Sequence, residues 1–124
     1  MNLRVIIIDD HTLFREGLEG LLTRRDIDVI ASVGDGEQGI QLAMELKPDI
    51  ILLDMRMPDM NGLAVLTRLN ETDLQMPISM LTTSSDERDL VEALRNGAKG
   101  YLLKDMEPDS LVVALRDIVS GKTV

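Results

Sequence analysis

The 124-residue sequence has no cysteine and no tryptophan, and Phe14 and Tyr101 are its only residues with large aromatic side chains. A chain without cysteine forms no disulfide and offers no thiolate metal site, which fits a reducing cytoplasm. With so few aromatic residues, the hydrophobic core has to consist of isoleucine, leucine, valine and methionine. A chain of this length can bury enough of them for a real core, so we expect one domain over residues 1–124.

Positive charge is scarce as well. The chain has 13 Lys and Arg residues against 22 Asp and Glu residues, for a formal net charge of −9 at pH 7. This balance argues against direct contact of this segment with nucleic acid, because such contact needs a basic face. No apolar segment approaches the roughly 18 residues of a transmembrane helix, and no signal peptide precedes the first apolar run. We therefore expect a cytoplasmic chain that is neither secreted nor bound to a membrane.

Short apolar runs alternate with segments in which apolar residues recur at helical spacing. The runs are continuously apolar, which is typical of strands covered on both faces of a parallel sheet. They cover residues 3–8, 29–33, 50–53, 78–81 and 101–103. The helical stripes cover residues 14–22, 40–44, 65–69, 90–94 and 111–119. Five strands alternating with five helices predict an open α/β sandwich.

Residues that begin or end helices agree with this pattern. Gly34-Asp35-Gly36 breaks the chain before the second helix, and Ser84 with Glu87 offers a capping box for the fourth. Asn96-Gly97 can close the fourth helix, and Pro108 suits the first turn of the fifth.

Three acidic residues stand where two of these strands end. Asp9 and Asp10 follow Ile6-Ile7-Ile8, and Asp54 follows Ile50-Ile51-Leu52-Leu53. In open α/β sheets ligands bind at the carboxyl ends of the strands, and neighbouring strands lie only about 4.8 Å apart. Like charges repel by roughly 4 kcal/mol per pair at 4 Å and an effective dielectric of 20. A divalent cation would offset this repulsion, and an all-oxygen ligand set suits Mg²⁺ (or Mn²⁺).

Two further strand ends contribute polar groups. Thr82 follows the run at 78–81, and Lys104 follows the run at 101–103. Converging carboxylates, a hydroxyl and an ammonium fit phosphoryl transfer, which depends mainly on positioning and charge neutralisation, and an aspartate can itself be the nucleophile. His11 is the only imidazole. We predict that it starts the first helix beside the metal site and is not a ligand.

Four motifs give these residues a family context. They are Ile8-Asp9-Asp10-His11, Leu53-Asp54-Met55-Arg56-Met57-Pro58-Asp59-Met60-Asn61-Gly62, Leu81-Thr82 and Gly100-Tyr101-Leu102-Leu103-Lys104-Asp105. In order and spacing, the chain resembles the receiver domains of two-component response regulators. The Asp-His pair and the Gly-Tyr-Leu-Leu-Lys-Asp segment resemble the NarL/FixJ branch, which has LuxR-type output domains. The resemblance implies a flavodoxin-like (CheY-like) three-layer sandwich whose five-stranded parallel sheet has the order 2-1-3-4-5.

The resemblance also implies a role for each site residue. Asp54 would be the phosphoacceptor. Asp10 would ligate Mg²⁺ directly, Asp9 mainly through water, and the backbone carbonyl of Arg56 would supply another ligand.

On the phosphoryl side, Thr82 would donate a hydrogen bond and Lys104 would pair with the phosphoryl oxygens. Tyr101 takes the position of the switch aromatic, which turns inward when Thr82 moves; plain core packing is the alternative for this side chain. Two features depart from the family or vary within it. Asp105 stands where many receivers have proline, and the side chain of Arg56, like that of Ser84, flanks the site and could alter the lifetime of the acyl phosphate.

Taken together, the resemblance implies a phosphorylation-dependent signalling switch, not an enzyme. A sensor histidine kinase would be the phosphodonor, and phosphorylation could produce a homodimer. The NarL/FixJ branch further predicts a C-terminal helix-turn-helix DNA-binding domain in a longer protein, through which the switch would control transcription.

Three alternatives stay open on the sequence. The first is a stand-alone chemotaxis-type or phosphorelay receiver that acts through protein contacts. The second is a phosphohydrolase with an aspartate nucleophile, although such enzymes usually carry an acid where Arg56 stands. The third is a receiver that no longer accepts phosphate, although its five site residues are intact.

Overall fold

The structure, a computed structural model, describes residues 2–57, 61–83 and 86–123. Five strands and five helices alternate along the chain, as the apolar pattern predicts. The strands are β1 (Arg4–Ile8), β2 (Asp28–Val33), β3 (Ile50–Leu53), β4 (Ile78–Thr82) and β5 (Gly100–Leu103). The helices are α1 (Thr12–Thr23), α2 (Gly36–Leu46), α3 (Gly62–Asn70), α4 (Glu87–Arg95) and α5 (Pro108–Val119). Within the described ranges, no helix has both the length and the apolar character needed to cross a membrane.

All five strands form one parallel sheet in the order β2-β1-β3-β4-β5. This order confirms the flavodoxin-like fold that the resemblance implied. The chain first adds β2 on one side of β1 and then places β3, β4 and β5 on the other side. The reversal opens a crevice at the carboxyl ends of β1 and β3, where ligands bind in sheets of this kind.

Each face of the sheet carries its own hydrophobic cluster. In β1, Ile6 and Ile8 enter one cluster, whereas Val5 and Ile7 enter the other, and all four are fully buried. Side chains alternate between the faces of a strand, and here helices cover both faces. Both sets of β1 side chains must therefore be apolar, which explains the continuous runs in the sequence.

Predicted helix boundaries are largely confirmed. The side chain of Asp35 caps α2, Gly97 follows α4 with a φ of 96°, and Pro108 is the first residue of α5. The start of α4 differs, because the side chain of Asp86 is its N-cap and accepts a backbone N–H of the same helix. The capping box predicted for Ser84 lies outside the described residues.

The strand ends also show small corrections. β1 begins at Arg4 and not at residue 3, because its pairing with β2 begins with Arg4 opposite Asp28. β4 includes Thr82, which was expected to follow it, because Thr82 pairs with Leu103. Each correction comes from pairing with another strand, which the local sequence does not specify.

Candidate functional site

Two aspartates are held at the carboxyl ends of the central strands. Ile8 of β1 pairs with Leu53 of β3, so the next residue in each strand, Asp9 and Asp54, reaches the same edge of the sheet. Their backbones continue the ladder, with the Asp54 N–H donating to the Ile8 carbonyl at 2.9 Å and the Asp9 N–H donating to β2 at 2.9 Å. Both aspartates are buried, with 2% of Asp9 and 3% of Asp54 exposed.

Lys104 brings a buried ammonium to these carboxylates. It follows β5, and its backbone N–H donates to the Thr82 carbonyl at 2.8 Å, which fixes where the side chain starts. Its Nζ lies 2.7 Å from Asp9 Oδ2 and 3.6 Å from Asp54 Oδ2, and only 7% of the side chain is exposed. The ammonium also stands 4.6 Å from the centre of the Phe14 ring, a favourable cation–π distance. The lysine therefore supplies part of the positive charge that the acids need.

His11 lies closer to the acids than the sequence suggested. It is the N-cap residue of α1, as predicted, and its backbone N–H donates to Asp9 Oδ1 at 2.8 Å. Its ring Nδ1 lies 3.2 Å from Asp9 Oδ1, 3.8 Å from Asp10 Oδ1 and 3.6 Å from Asp54 Oδ2. The same nitrogen lies 3.0 Å from the Nζ of Lys104. The ring thus belongs to the same group of polar side chains as the three aspartates and Lys104.

The donor atoms of this cluster fit a cation. One atom from each of Asp9, Asp10, His11 and Asp54 can be chosen so that all lie within 4.8 Å of one another. Asp10 Oδ1 and Asp54 Oδ2 are buried atoms without a hydrogen-bond partner among the described residues. A buried acceptor left without a partner costs roughly 1–3 kcal/mol, and more when it is charged. A hard divalent cation such as Mg²⁺ would satisfy these oxygens.

Burial and the neighbouring negative charge disfavour ionisation of Asp54. Burial, and then the negative charge of Asp9, raise the pKa of Asp54 from its usual 3.8 to about 6. The Lys104 ammonium, the backbone N–H of Arg56 and His11 lower this pKa but do not cancel the increase. Without a further cation, the ionised form of Asp54 is therefore disfavoured at this edge of the sheet.

Comparison with known proteins agrees with this architecture. Residues 5–116 match the response regulator receiver domain family. The chain belongs to this family. It is 47% identical over 121 residues to the nitrate/nitrite response regulator protein NarL of Escherichia coli K12, which covers 97% of the chain and 56% of that relative. The receiver domain therefore spans about half the length of the curated relatives it matches.

Solved receiver structures superpose closely on the chain. The signal receiver domain of a NarL response regulator from Mycobacterium tuberculosis gives a TM-score of 0.92 at 33% identity and covers 98% of each chain. A LuxR-family two-component response regulator from Aurantimonas sp. gives a TM-score of 0.93 at 29% identity, covering 99% of this chain and 89% of that one. The resemblance to NarL-type receivers is thus confirmed, and with it a place in phosphorylation-dependent two-component signalling.

The structure also shows where the remaining predicted residues of the receiver lie. Thr82 is fully buried as the last residue of β4. Tyr101 in β5 pairs with Met80 and packs, partly buried, against the hydrophobic cluster of one sheet face. This position is compatible both with core packing and with a switch, so the switching role stays a prediction.

Arg56 is divided between the site and the surface. Its backbone N–H lies 3.4 Å from Asp54 Oδ1, so its main chain borders the phosphoacceptor candidate. Its guanidinium instead binds Asp89 in the first turn of α4, with Nη2 donating to Asp89 Oδ2 at 2.6 Å. The side chain therefore does not contact Asp9, Asp10 or Asp54 here, and the metal-binding role of its carbonyl stays a prediction.

Two supporting residues were missed in the sequence. Arg15 of α1 donates from Nη1 to the backbone carbonyl of Asp9 at 2.6 Å, which ties the helix to the acidic loop. Gly62 begins α3 close to the end of β3, and a Cβ atom there would lie 2.3 Å from the Asp54 carbonyl oxygen. The Asn-Gly pair at the end of the acceptor motif was the available signal for Gly62; nothing local marked Arg15.

Proposed function

We propose that this receiver domain accepts a phosphoryl group on Asp54 from a phosphohistidine of a sensor histidine kinase. The observation that carries the proposal is the pairing of a buried aspartate with a buried lysine at 3.6 Å, where the facing oxygen, Asp54 Oδ2, has no hydrogen-bond partner within residues 2–57, 61–83 and 86–123. Such a carboxylate is held ready for a cationic or phosphoryl ligand. The role is regulatory rather than enzymatic.

The metal in this proposal is Mg²⁺ or Mn²⁺, held by Asp9, Asp10, Asp54 and the carbonyl of Arg56. When bound, it supplies positive charge that offsets the acids and the phosphoryl oxygens. Asp54 Oδ attacks the phosphorus and the histidine nitrogen leaves, which gives an acyl phosphate. Lys104 pairs with the transferred oxygens, and the Thr82 hydroxyl donates a hydrogen bond to them.

The output would follow from movement around Thr82. Phosphorylation replaces the single negative charge of the Asp54 carboxylate with a phosphoryl group that carries close to two, and its oxygens draw Thr82 and Lys104 toward Asp54. Tyr101 lies on the strand beside Thr82 and would turn inward with it. The surface formed by α4, β5 and α5 would then change shape, and this change would favour a homodimer or release an output domain.

The output itself is proposed to be transcriptional. The chain corresponds to about half of its relatives, among them a protein named Transcriptional regulatory protein LnrK in Bacillus subtilis. We infer that the receiver controls a C-terminal helix-turn-helix DNA-binding domain in the cytoplasm. The acidic receiver itself would not contact DNA.

The test is labelling with acetyl phosphate, followed by mass spectrometry of the intact protein and its peptides. We expect one phosphoryl group on Asp54 when Mg²⁺ is present, none when it is chelated, and none in Asp54→Asn. Asp49→Asn is the matched control, because Asp49 lies just before β3 at the opposite end of the same strand. Labelling that persists in Asp54→Asn, or that does not need a divalent cation, would contradict the proposal.

A further inference from the structure

We propose that His11 is a nitrogen ligand of the metal site, so that this receiver binds imidazole-preferring divalent cations such as Ni²⁺ in addition to Mg²⁺. The inference rests on the proposed metal site of Asp9, Asp10 and Asp54. It adds a residue to that site and changes which metals it selects.

The position of the ring is the first observation. Nδ1 of His11 lies between 3.2 and 3.8 Å from one oxygen of each of the three aspartates. One of these oxygens, Asp54 Oδ2, has no hydrogen-bond partner in the part of the chain that the structure describes, and it belongs to a side chain that is 3% exposed. The histidine backbone is fixed at the start of α1 by its own hydrogen bond to Asp9, so the ring is anchored beside the acids.

The contacts of Nδ1 are the second observation. This nitrogen lies 3.0 Å from Nζ of Lys104 and 3.2 Å from Asp9 Oδ1. One donor atom from each of Asp9, Asp10, His11 and Asp54 lies within 4.8 Å of the others. The ring nitrogen is therefore as close to the carboxylate oxygens as ligands of one cation need to be.

The chemistry of the donor set decides the metal class. Oxygen ligands alone suit Mg²⁺ and Mn²⁺, whereas imidazole suits Zn²⁺, Cu²⁺ and Ni²⁺. A mixed set of carboxylate oxygens and one imidazole nitrogen raises affinity for the second group without removing the first. His11 would therefore determine metal selectivity while the aspartates provide the general affinity.

Direct ligation can be detected with Mn²⁺ by electron spin echo envelope modulation. The chain contains a single histidine, so in untagged protein any imidazole coupling to the metal must come from His11. We expect ¹⁴N modulation in the wild type and its loss in His11→Asn. Asparagine is a favourable N-cap residue, so this variant should fold, and its thermal unfolding without metal serves as the check.

Affinity measurements by calorimetry provide the second readout. We expect His11→Asn to weaken Ni²⁺ binding about 10- to 100-fold, the loss that removing an outer-sphere partner already causes, and to weaken Mg²⁺ binding less, because Mg²⁺ prefers the carboxylate oxygens. Asp10→Asn should weaken binding of both metals, because they share one site.

Bound Mn²⁺ without nitrogen modulation in the wild type, or unchanged Ni²⁺ affinity in His11→Asn, would overturn the inference. The proposed function would survive either result if Mg²⁺ still supports labelling of Asp54. If neither Mg²⁺ nor Mn²⁺ binds, the proposed metal site and this inference both fail.

Discussion

Charged side chains at the two ends of the sheet differ in how fully their hydrogen bonds are satisfied. At the amino end, Arg4 of β1 donates to the Leu46 and Lys47 carbonyls at the end of α2, both at 2.9 Å. Its backbone N–H donates to Asp49 Oδ2 at 2.8 Å. At the carboxyl end, Asp9, Asp54 and Lys104 are buried together, and Asp54 Oδ2 lacks a hydrogen-bond partner among the residues that the structure describes.

This contrast separates charges that stabilise the fold from charges that, in the proposed function, bind a ligand. At the amino end, the guanidinium of Arg4 satisfies two carbonyl groups that the end of α2 leaves without partners in the helix. At the carboxyl end, burial and mutual repulsion raise the pKa of Asp54 to about 6. The same residue types therefore stabilise one end and destabilise the other, and in the proposed function a cation or a phosphoryl group would offset this destabilisation.

The largest expected effect tests how tightly the carboxyl end is built. Gly62→Ala should destabilise the domain by about 3 kcal/mol or more, the upper part of the range for overpacking. The added Cβ would lie 2.3 Å from the Asp54 carbonyl oxygen and 2.8 Å from the Met55 Cα, and backbone atoms cannot rotate away. Urea denaturation measures the change, and weakened Mg²⁺ binding should accompany it.

Gly17→Ala is the matched control in α1. A Cβ there meets nothing within 4 Å, so alanine should stabilise the helix by roughly 0.5–1 kcal/mol. Similar destabilisation by both substitutions would mean that the loss of a glycine, and not the close approach of residue 62 to Asp54, determines the change in stability.

The second prediction concerns the repulsion itself. Above about pH 7, Asp54→Asn should stabilise the metal-free domain by about 2–3 kcal/mol, since the pKa of Asp54 is raised from 3.8 to about 6 and each pKa unit corresponds to roughly 1.4 kcal/mol. The amide has nearly the same size and carries no charge. Chemical denaturation at several pH values measures the difference.

The direction in which this stability difference changes with pH follows from proton linkage. Because the folded state holds the Asp54 proton more tightly than the unfolded state, its contribution to stability falls as pH rises from about 4 to about 6. The stabilising effect of Asp54→Asn should therefore disappear below about pH 4, and Mg²⁺ should reduce it at neutral pH by stabilising the wild type. A difference that is independent of pH would contradict this explanation.

A smaller effect is expected at the amino end. Arg4→Met removes two charge-assisted hydrogen bonds to the end of α2 but keeps the apolar stem, so it should cost about 1–2 kcal/mol. Mg²⁺ affinity and labelling of Asp54 should not change. Loss of Mg²⁺ affinity or of Asp54 labelling in a folded variant would show that the two ends of the sheet are coupled.

The smallest effect lies at the rim of the carboxyl end. The ion pair between Arg56 and Asp89 has an arginine side chain that is 67% exposed, and exposed pairs contribute roughly 0.2–1 kcal/mol. A double-mutant cycle with Arg56→Ala and Asp89→Ala should therefore give a coupling within that range. A coupling above about 2 kcal/mol would class this pair with the buried charges.

Much of the site could be predicted because it lies where local patterns change. Asp9 and Asp54 stand at the ends of continuous apolar runs, and strand periodicity is readable within a few residues. The contacts of Arg15 and of the Arg56 side chain could not be predicted in this way. Their partners are the Asp9 carbonyl and Asp89, which the local sequence does not specify. Whether a long flexible side chain turns toward the acids or away from them depends on which helix stands beside it.

By itself, the sequence determined the alternation of strands and helices, the aliphatic core and the acids at the strand ends. These properties follow from side-chain chemistry and short-range spacing. Only the tertiary structure decided that Lys104 reaches Asp9 across β4 and β3 and that the ring of His11 faces the carboxylates. These juxtapositions join residues up to 95 positions apart, and pairing at that range is set by burial of both sheet faces together, which no local segment encodes.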